Sequence, residues 1–449
     1  MKTPNPKSQI PNKFQTPSSN RWADDARRSI WSALTCPHLF PARPVAPTCR
    51  QAGTREGDDK WPHARTRRLG FGIWSLFGFW VLGFGISAAL AADPTNPPPR
   101  RVGPTQPLSP EVAADRTVTF RVRAPNATNV SVSSEWPGAK PMTKDANGNW
   151  SVTVGPLAPE LYSYSFSIDG FQTLDPGNPA VKPGRSPRSS MVEVPGNPPL
   201  AHEWNAAIPH GKVSVHSYQS KSLGARRSLH VYTPPGYDQS GKKLPVMYLL
   251  HGNGDNDGTW SVLGRANVIL DNLIAAKKAK PMIVVMTDGH PYVSPPGVSA
   301  TNATERGRNT KAYERECIED VMPFVEANYR TINQRASRAI IGLSMGGGQA
   351  LHVGLNHLDR FAWVGGMSAS VPSADDVSLA LNDAQATNKK LKLLWIAIGK
   401  DDFLLFRNTV FEDTLKAKGI THTYQVTDGA HQWPVWRKYL AEFSPLVFR

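Results

Sequence analysis

The feature that most constrains the fold is a glycine-flanked serine, Gly342-Leu343-Ser344-Met345-Gly346. A short apolar run, 339–341, precedes it, and a helix-like stretch, 347–356, follows it. A turn this tight forces the serine into a strained backbone conformation, and the small residues on either side let the strand and the helix approach each other. This strand–turn–helix context is the one that a nucleophile elbow requires, so Ser344 is the candidate nucleophile.

A serine hydroxyl needs a base to take its proton, and the base needs a carboxylate to orient it. The run Gly399-Lys400-Asp401-Asp402 follows a buried-strand pattern and supplies two carboxylates, and Asp428-Gly429-Ala430-His431 follows a second strand-like run. Both lie after the serine, in the order that α/β-hydrolases use. His431 lies in a glycine-containing loop before an aromatic-rich helix and is the predicted base. The residues alone leave the choice of carboxylate open.

The oxyanion of an acyl-transfer reaction needs backbone N–H donors that are already in place. Met345, next to the nucleophile, is one expected donor. An apolar strand runs into His251-Gly252-Asn253-Gly254, so Gly252 and Asn253 are candidates for the second. This loop lacks the Lys and Ser/Thr of a phosphate-binding loop, and Asp255-Asn256-Asp257-Gly258 lacks the ligand spacing of a calcium loop. No metal or cofactor is predicted.

Together these segments resemble the family-one carbohydrate esterases, a family that includes feruloyl esterases and acetyl xylan esterases. Its wider relatives include enterochelin esterases and mycolyltransferases. The resemblance runs from Ile208 to the C-terminus, with the blocks in the family's order, and it extends to Trp260 and to the run 429–436. It implies that Asp402, the second carboxylate of the pair, is the acid. Ala430 stands where the family has a glycine.

Composition changes along the chain and predicts several regions before the esterase-like part. Residues 1–64 are rich in Pro, Arg and Ser and show no periodic pattern, as in a disordered extension or a mis-assigned start. Residues 65–91 combine arginines, an uncharged apolar stretch and a small-residue end, as in a signal peptide. An uncleaved membrane anchor is the alternative. A Pro-rich linker follows over 92–107. We therefore expect a secreted or periplasmic protein that leaves the membrane after cleavage.

Residues 108–200 have a different character. Apolar and polar residues alternate in short runs such as 118–122, and the turn signals Asn147-Gly148 and Asp169-Gly170 separate such runs. Alternation with regular turns predicts a β-sandwich. The segment 117–127 is similar to early-set modules, which are immunoglobulin-like domains found ahead of glycan-active enzymes. Whether this module binds glycan is left open.

From residue 208 onward, buried-strand patterns alternate with helical stretches, which predicts a mostly parallel sheet covered on both faces. The expected fold class is therefore α/β, with an α/β-hydrolase domain over 208–449 behind an immunoglobulin-like (early-set) β-sandwich. Ligands of such sheets bind over the carboxyl ends of the strands, where all the candidate residues lie.

The net charge of +15 divides into +8 in residues 1–91 and +7 in the remainder. A modest excess spread over a large domain argues against nucleic acid as a partner. Cys36 and Cys49 lie in the leader region, so Cys317 alone would remain after cleavage. It falls in an amphipathic run and is expected to be a buried apolar side chain.

The expected function is an exported serine esterase that removes hydroxycinnamoyl (feruloyl) groups from plant cell-wall polysaccharide. Its partner would be a polysaccharide or oligosaccharide ester, with Trp260 and Trp433 as walls of the substrate cleft. A feruloyl group must bury an aromatic ring, whereas an acetyl group needs room for one methyl. The alternatives are an acetyl xylan esterase, an enterochelin-esterase-like or acyltransferase relative, and, from a different class, a non-catalytic glycan-binding protein.

Overall fold

The computed structural model describes residues 106–136, 138–292 and 302–449. The predicted extension over 1–64, the predicted leader over 65–91 and nearly all of the linker predicted over 92–107 lie outside these residues. None of the helices in the described ranges is long and apolar enough to cross a bilayer.

The first part of the described chain consists of short strands in two antiparallel sheets. One sheet has the order β1-β2-β6-β5, and the other has the order β4-β3-β7-β8 with β9 also paired to β7. The strands are β1 (Glu111–Val112), β2 (Val118–Arg123), β3 (Val130–Ser134), β4 (Lys140–Pro141), β5 (Thr143–Lys144), β6 (Asn149–Val154), β7 (Glu160–Ile168), β8 (Phe171–Thr173) and β9 (Ser190–Val194).

The alternation read from the sequence sets which side chains lie between these two sheets. In β2, Val118, Phe120 and Val122 are buried while the residues between them are partly exposed, so one face of the strand packs inward. Side chains of both sheets form one apolar core. The hairpin from β7 to β8 closes at Asp169-Gly170, where both residues have positive φ (47° and 88°), as a tight hairpin turn requires.

The second part is an eight-stranded sheet with the order β10-β11-β13-β12-β14-β15-β16-β17. Strands β10 and β11 pair antiparallel at one edge, and the pairs from β13 onward are parallel. The strands are β10 (Lys212–Ser220), β11 (Ala225–Thr233), β12 (Val246–Leu250), β13 (Ile283–Thr287), β14 (Arg338–Leu343), β15 (Trp363–Met367), β16 (Leu393–Gly399) and β17 (Thr423–Thr427).

Helices cover both faces of this sheet, as buried parallel strands require. They are α1 (Tyr237–Ser240), α2 (Thr259–Val262), α3 (Ala266–Ala275), α4 (Ala303–Glu316), α5 (Met322–Asn328), α6 (Ser344–Asn356), α7 (Ser378–Asn382), α8 (Ala384–Lys390), α9 (Leu405–Ala417) and α10 (Trp433–Phe443). Helices α4 to α7 and α9 contribute to one apolar core, and α2, α3 and α10 contribute to the other. The prediction that Cys317 is buried is confirmed, because it lies fully buried in the first of these cores.

The two described parts of the chain belong to one compact unit. Leu161 and Met191 of the β-rich part lie in the same apolar core as α3 and α10. On α10, the buried guanidinium of Arg437 donates hydrogen bonds to the Glu160 carboxylate and to the carbonyl oxygen of Leu161 (2.8 Å each). The β-rich part therefore packs directly against the helix that follows His431.

Candidate active site

The elbow has the geometry that its sequence predicts. Ser344 follows β14 directly, begins α6 and has φ 53°, the left-handed conformation that a non-glycine residue rarely adopts. A Cβ added to Gly342 would collide with the backbone of Gly346, and one added to Gly346 would collide with the carbonyl oxygen of His251. Glycine is therefore required at both positions, because the strand and the helix approach closely around the serine.

Ser344, His431 and Asp402 form a continuous hydrogen-bonded chain. Nε2 of His431 lies 2.9 Å from Oγ of Ser344, and Nδ1 of the same ring lies 2.8 Å from Oδ2 of Asp402. The three residues follow β14, β17 and β16, which are parallel strands whose carboxyl ends meet at one edge of the sheet. A proton on Nδ1 bound to the carboxylate leaves Nε2 free to accept the serine proton, which is the arrangement of a general base.

The structure also distinguishes the two neighbouring carboxylates. Asp402 is buried, and its Oδ1 accepts the N–H of Leu404 (2.8 Å). Burial alone would raise the pKa of Asp402, but the hydrogen bonds from His431 and Leu404 outweigh it and hold that pKa below its usual value. Asp401 is exposed, and its backbone N–H donates to the carbonyl oxygen of Gly429 (3.0 Å). Asp402 is therefore the carboxylate in contact with the imidazole.

The predicted oxyanion donors lie around the serine. A Cβ on Gly252 would come within 3.5 Å of Cβ of Ser344, so this backbone passes beside the nucleophile. Asn253 and Met345 line the same cavity as Ser344. His251 holds the loop in place through both ring nitrogens. Its Nδ1 donates to the carbonyl oxygen of Gly252 (2.8 Å), and its Nε2 accepts the N–H of Gly289, in the loop that follows β13 (2.9 Å).

Two cavities meet at the serine. The larger, about 740 Å³, contains Ser344 and His431 and is bordered by α4, α6 and the residues that lead into α9. The smaller, about 230 Å³, contains the same two residues and is lined by polar groups of both parts of the chain, including Glu135 and Lys182. Asn253 lines both cavities. An ester bound at Ser344 therefore has space for a substituent on either side.

The aromatic walls predicted for the cleft are placed differently. Trp260 is only 1% exposed, donates its indole N–H to the carbonyl oxygen of Leu250 (3.0 Å) and lies in the core, so the prediction that it contacts substrate is wrong. Trp433 is 3% exposed and packs edge-on against Trp260, with its rim at the smaller cavity. Both rings face inward because α2 and α10 pack on the sheet through them. Trp433 therefore packs mainly against other side chains and offers little exposed surface to a substrate.

Phe403 is an aromatic residue of the larger cavity that no sequence motif singled out. It is 76% exposed, lines the larger cavity and lies against the ring of His431, with centroids 4.5 Å apart. Its signal in the sequence is its position directly after Asp402, which fixes it beside the base. Arg185, from the loop between β8 and β9, also borders this cavity, and no local pattern indicates it.

Within the described ranges, no group of three or more His, Cys, Asp or Glu side chains is arranged to hold a metal ion. The arrangement around Ser344 is that of nucleophilic acyl transfer, with a nucleophile, a base, an orienting carboxylate and backbone donors nearby.

Comparisons with known proteins place the chain among esterases. A family model described as "Putative esterase" matches residues 220–446. An endo-1,4-beta-xylanase/feruloyl esterase of Xylanibacter ruminicola is 31% identical over 352 residues, which cover 76% of this chain and 46% of that protein. Endo-1,4-beta-xylanase Y of Acetivibrio thermocellus is 26% identical over 267 residues, covering 53% of this chain and 23% of that protein. The chain thus spans less than half the length of either relative.

Among solved structures, the enterobactin esterase of Shigella flexneri matches with a TM-score of 0.53 and 20% identity, over 73% of this chain and 92% of that one. This similarity concerns the fold. With the family match, it confirms the α/β-hydrolase fold that the elbow and the strand pattern predict.

Proposed function

Because this chain belongs to the putative esterase family, we propose that it is a serine carboxylic-ester hydrolase that removes hydroxycinnamoyl (feruloyl) groups from plant cell-wall polysaccharide. The observation that carries the proposal is the hydrogen-bonded chain from Ser344 through His431 to Asp402, which opens on a cavity of about 740 Å³. The Xylanibacter ruminicola relative, named as a xylanase/feruloyl esterase, supports the choice of substrate.

The geometry gives each residue a step. Oγ of Ser344 attacks the ester carbonyl while Nε2 of His431 takes its proton. The carbonyl electrons pass to the oxygen, where the N–H groups of Asn253 and Met345 donate to it. The carbon–oxygen bond to the alcohol then breaks, and His431 returns the proton to the departing oxygen. Water repeats the sequence on the acyl-enzyme and releases the acid. The carboxylate of Asp402 stabilises the imidazolium in both halves.

Trp260 and Trp433 are buried and offer no exposed ring to an aromatic acyl group. The support for such a group comes from Phe403 instead. The ring of Phe403 is exposed at the larger cavity and adjoins His431, so an aromatic acyl group at Ser344 can stack on it. A feruloyl group fits within the volume of this cavity.

The smaller cavity favours a second candidate, an acetyl xylan esterase. A space of about 230 Å³ beside Ser344 suits an acetyl group, with the sugar chain in the larger cavity. The two candidates use the same nucleophile, base and acid and differ only in which cavity receives the acyl group.

Two further parts of the proposal concern regions ahead of the hydrolase. We assign the two-sheet part, strands β1 to β9, to the immunoglobulin-like early-set modules, on the basis of its alternating strands and the segment 117–127. We also propose export, on the basis of the arginines and the uncharged stretch in residues 65–91. N-terminal sequencing of secreted protein tests export, because a mature start near Ala92 supports it and recovery only from detergent-treated membranes contradicts it.

The test of function compares kcat/KM of the full chain on methyl ferulate, a feruloylated arabinoxylan oligosaccharide and an acetylated xylo-oligosaccharide. We expect the feruloylated oligosaccharide to give the highest value. A higher value for the acetylated one would assign the protein as an acetyl xylan esterase. Hydrolysis of none of the three, by protein with a cooperative unfolding transition, would contradict the proposed activity and favour a non-catalytic glycan-binding role.

A further inference from the structure

Four cationic side chains border the cavity that contains Ser344: Arg185, Arg306, Lys311 and Arg407. We call these four residues the basic rim. They come from three separate places in the fold, since one lies in the loop between β8 and β9, two lie on α4 and one lies on α9. Their convergence is a property of the folded chain, because no local run of basic residues produces it.

The acidic residues of the same cavity do not balance this charge. Glu305 and Asp376 are the carboxylates among its described lining residues. Glu305 lies 3.8 Å from Arg308, and Asp376 accepts the hydroxyl of Ser373 at 2.6 Å. Within the described parts of the chain, no member of the basic rim forms an ion pair with a carboxylate. Residues 293–301, which lie outside those parts, contain no Asp, Glu, Lys or Arg.

Arg185 is held at the cavity by contacts of its own loop. Its backbone N–H donates to the carbonyl oxygen of Gly254 (3.0 Å), and Lys182 forms an ion pair with Asp255 (3.3 Å). Both partners belong to the loop that carries the proposed oxyanion donor Asn253. The β-rich part therefore places a guanidinium beside the reaction centre and fixes the backbone from which it projects.

The same cavity contains a histidine, which adds to its charge only when protonated. His290 is buried and lines the same cavity, and among the described atoms its Nε2 has no hydrogen-bond partner. Burial lowers the pKa of His290 to about 4; the neighbouring His251 and, to a smaller extent, Arg185 add to the lowering, and the carboxylate of Asp288 opposes it. The ring is therefore neutral at physiological pH and adds no charge to that of the basic rim.

We propose that the basic rim selects esters that carry a carboxylate close to the scissile bond. Guanidinium groups bind carboxylates with paired hydrogen bonds, and cations in a partly enclosed cavity attract anionic substrates more strongly than cations on an open surface do. The inference rests on the proposed ester hydrolysis and specifies its substrate. The carboxylate belongs either to the acyl group or to an acidic sugar on the alcohol side, and the two sources can be separated experimentally.

The test uses two pairs of esters that differ in one carboxylate. Methyl 4-carboxycinnamate and methyl 4-methylcinnamate probe the acyl side. Feruloylated arabinoxylan oligosaccharides with and without a glucuronic acid branch probe the alcohol side. The basic rim predicts a higher kcat/KM for the charged member of at least one pair. Raising the salt concentration from about 20 mM to about 500 mM should reduce that preference, because the screening length falls severalfold.

The variants are Arg185→Gln and Arg407→Gln, singly and combined, with Arg360→Gln as control. Arg360 is exposed and lies just before β15, at the end of the sheet opposite Ser344. The double variant should lower kcat/KM about 10-fold for the preferred charged ester and less than about 2-fold for its neutral partner, as expected for loss of two nearby charges. The control should change neither value.

Two outcomes would overturn the inference. One is a wild-type enzyme whose kcat/KM is not higher for the charged member of either pair, and the other is a double variant that lowers kcat/KM equally for both members of the preferred pair. In either case the neutral esters are still hydrolysed, so the proposed function stands. If wild type hydrolyses none of the four esters, the proposed function and the inference both fall.

Discussion

Arg437 and Glu160 form a buried ion pair that joins the two parts of the chain. The Arg437 side chain is 2% exposed, and its Nη2 and Nε lie 2.8 Å and 3.1 Å from the same carboxylate oxygen. Burial lowers the pKa of Arg437, and the negative charge of Glu160 opposes that shift. The guanidinium has one carboxylate partner among the described residues and lies on the helix that follows His431.

Glu160→Gln should therefore destabilise the protein strongly. It leaves a buried positive charge without its counter-charge, which costs about 3 kcal/mol in comparable pairs. Urea unfolding of the two proteins measures the difference in the free energy of unfolding. Glu193→Gln is the matched control, because it breaks a much less buried pair with Arg265 (side chains 37% and 30% exposed) and should cost about 1 kcal/mol or less. Equal losses in the two variants would show that the Arg437 pair does not join the parts as described.

Asp402→Asn should reduce turnover far more than Asp401→Asn. Only Asp402 contacts Nδ1 of His431, and an amide there favours the wrong tautomer of the ring, which costs about 10⁴ in kcat in a comparable triad. Asp401 is exposed and serves as the adjacent control. The measurement is kcat on methyl ferulate for each purified variant. If Asp401→Asn causes the larger loss, the assignment of the acid is wrong.

Phe403→Ala should raise KM for feruloyl esters about 5-fold, because stacking on an exposed aromatic ring contributes about 1 kcal/mol. Phe406 provides the control, since it is similarly exposed (79% against 76%) but does not line the larger cavity. Phe406→Ala should leave KM within about 2-fold of wild type. Steady-state kinetics on methyl ferulate and on a short-chain acetyl ester distinguish an aromatic contact from a general effect. An equal change in KM for both esters would argue against stacking.

Acid should destabilise the wild type more than a His290→Asn variant. The folded pKa of His290 is about 4 and the unfolded value is about 6.5, so the unfolded state binds a proton between these values that the folded state does not. The contribution of His290 to the free energy of unfolding is therefore present above pH 6.5 and is lost as pH falls toward 4. The variant has no imidazole at this position, so its free energy of unfolding does not decrease for this reason. Urea unfolding at pH 7.5 and pH 4.5 should show the variant gaining relative to wild type at the lower pH, and an unchanged difference would contradict the shift.

Much of the hydrolase could be predicted because its signals are local. The strand β12 begins and ends where its apolar run does. Strand β14 leads into Ser344, and the flanking Gly342 and Gly346 mark the tight turn because no larger residue fits at either position. The antiparallel edge strand β10 was not predicted, since its residues, Lys212–Ser220, are mostly polar and only part-buried. Its place follows from pairing with β11 along its whole length.

The walls of the cavity could not be predicted for a different reason. Sequence shows that Trp260 and Trp433 adjoin the active-site motifs, but their direction depends on how α2 and α10 pack on the sheet. Phe403 precedes α9 at a turn and projects outward. Arg185 reaches the cavity only through the docking of the β-rich part on the loop at Gly254. Such contacts join residues far apart in the chain and have no local pattern.

The most direct test of the account is the loss of activity in Ser344→Ala, measured as kcat on methyl ferulate. Ser370→Ala is the control, because Ser370 lines the same cavity and donates its backbone N–H to the carbonyl oxygen of Ser344 (2.8 Å), a contact that the substitution keeps. We predict a loss of about 10⁴- to 10⁶-fold in Ser344→Ala, with an unchanged circular dichroism spectrum, and a change of less than about 3-fold in the control. A folded Ser344→Ala variant that keeps about one tenth of wild-type turnover would contradict the assignment of Ser344 as the nucleophile.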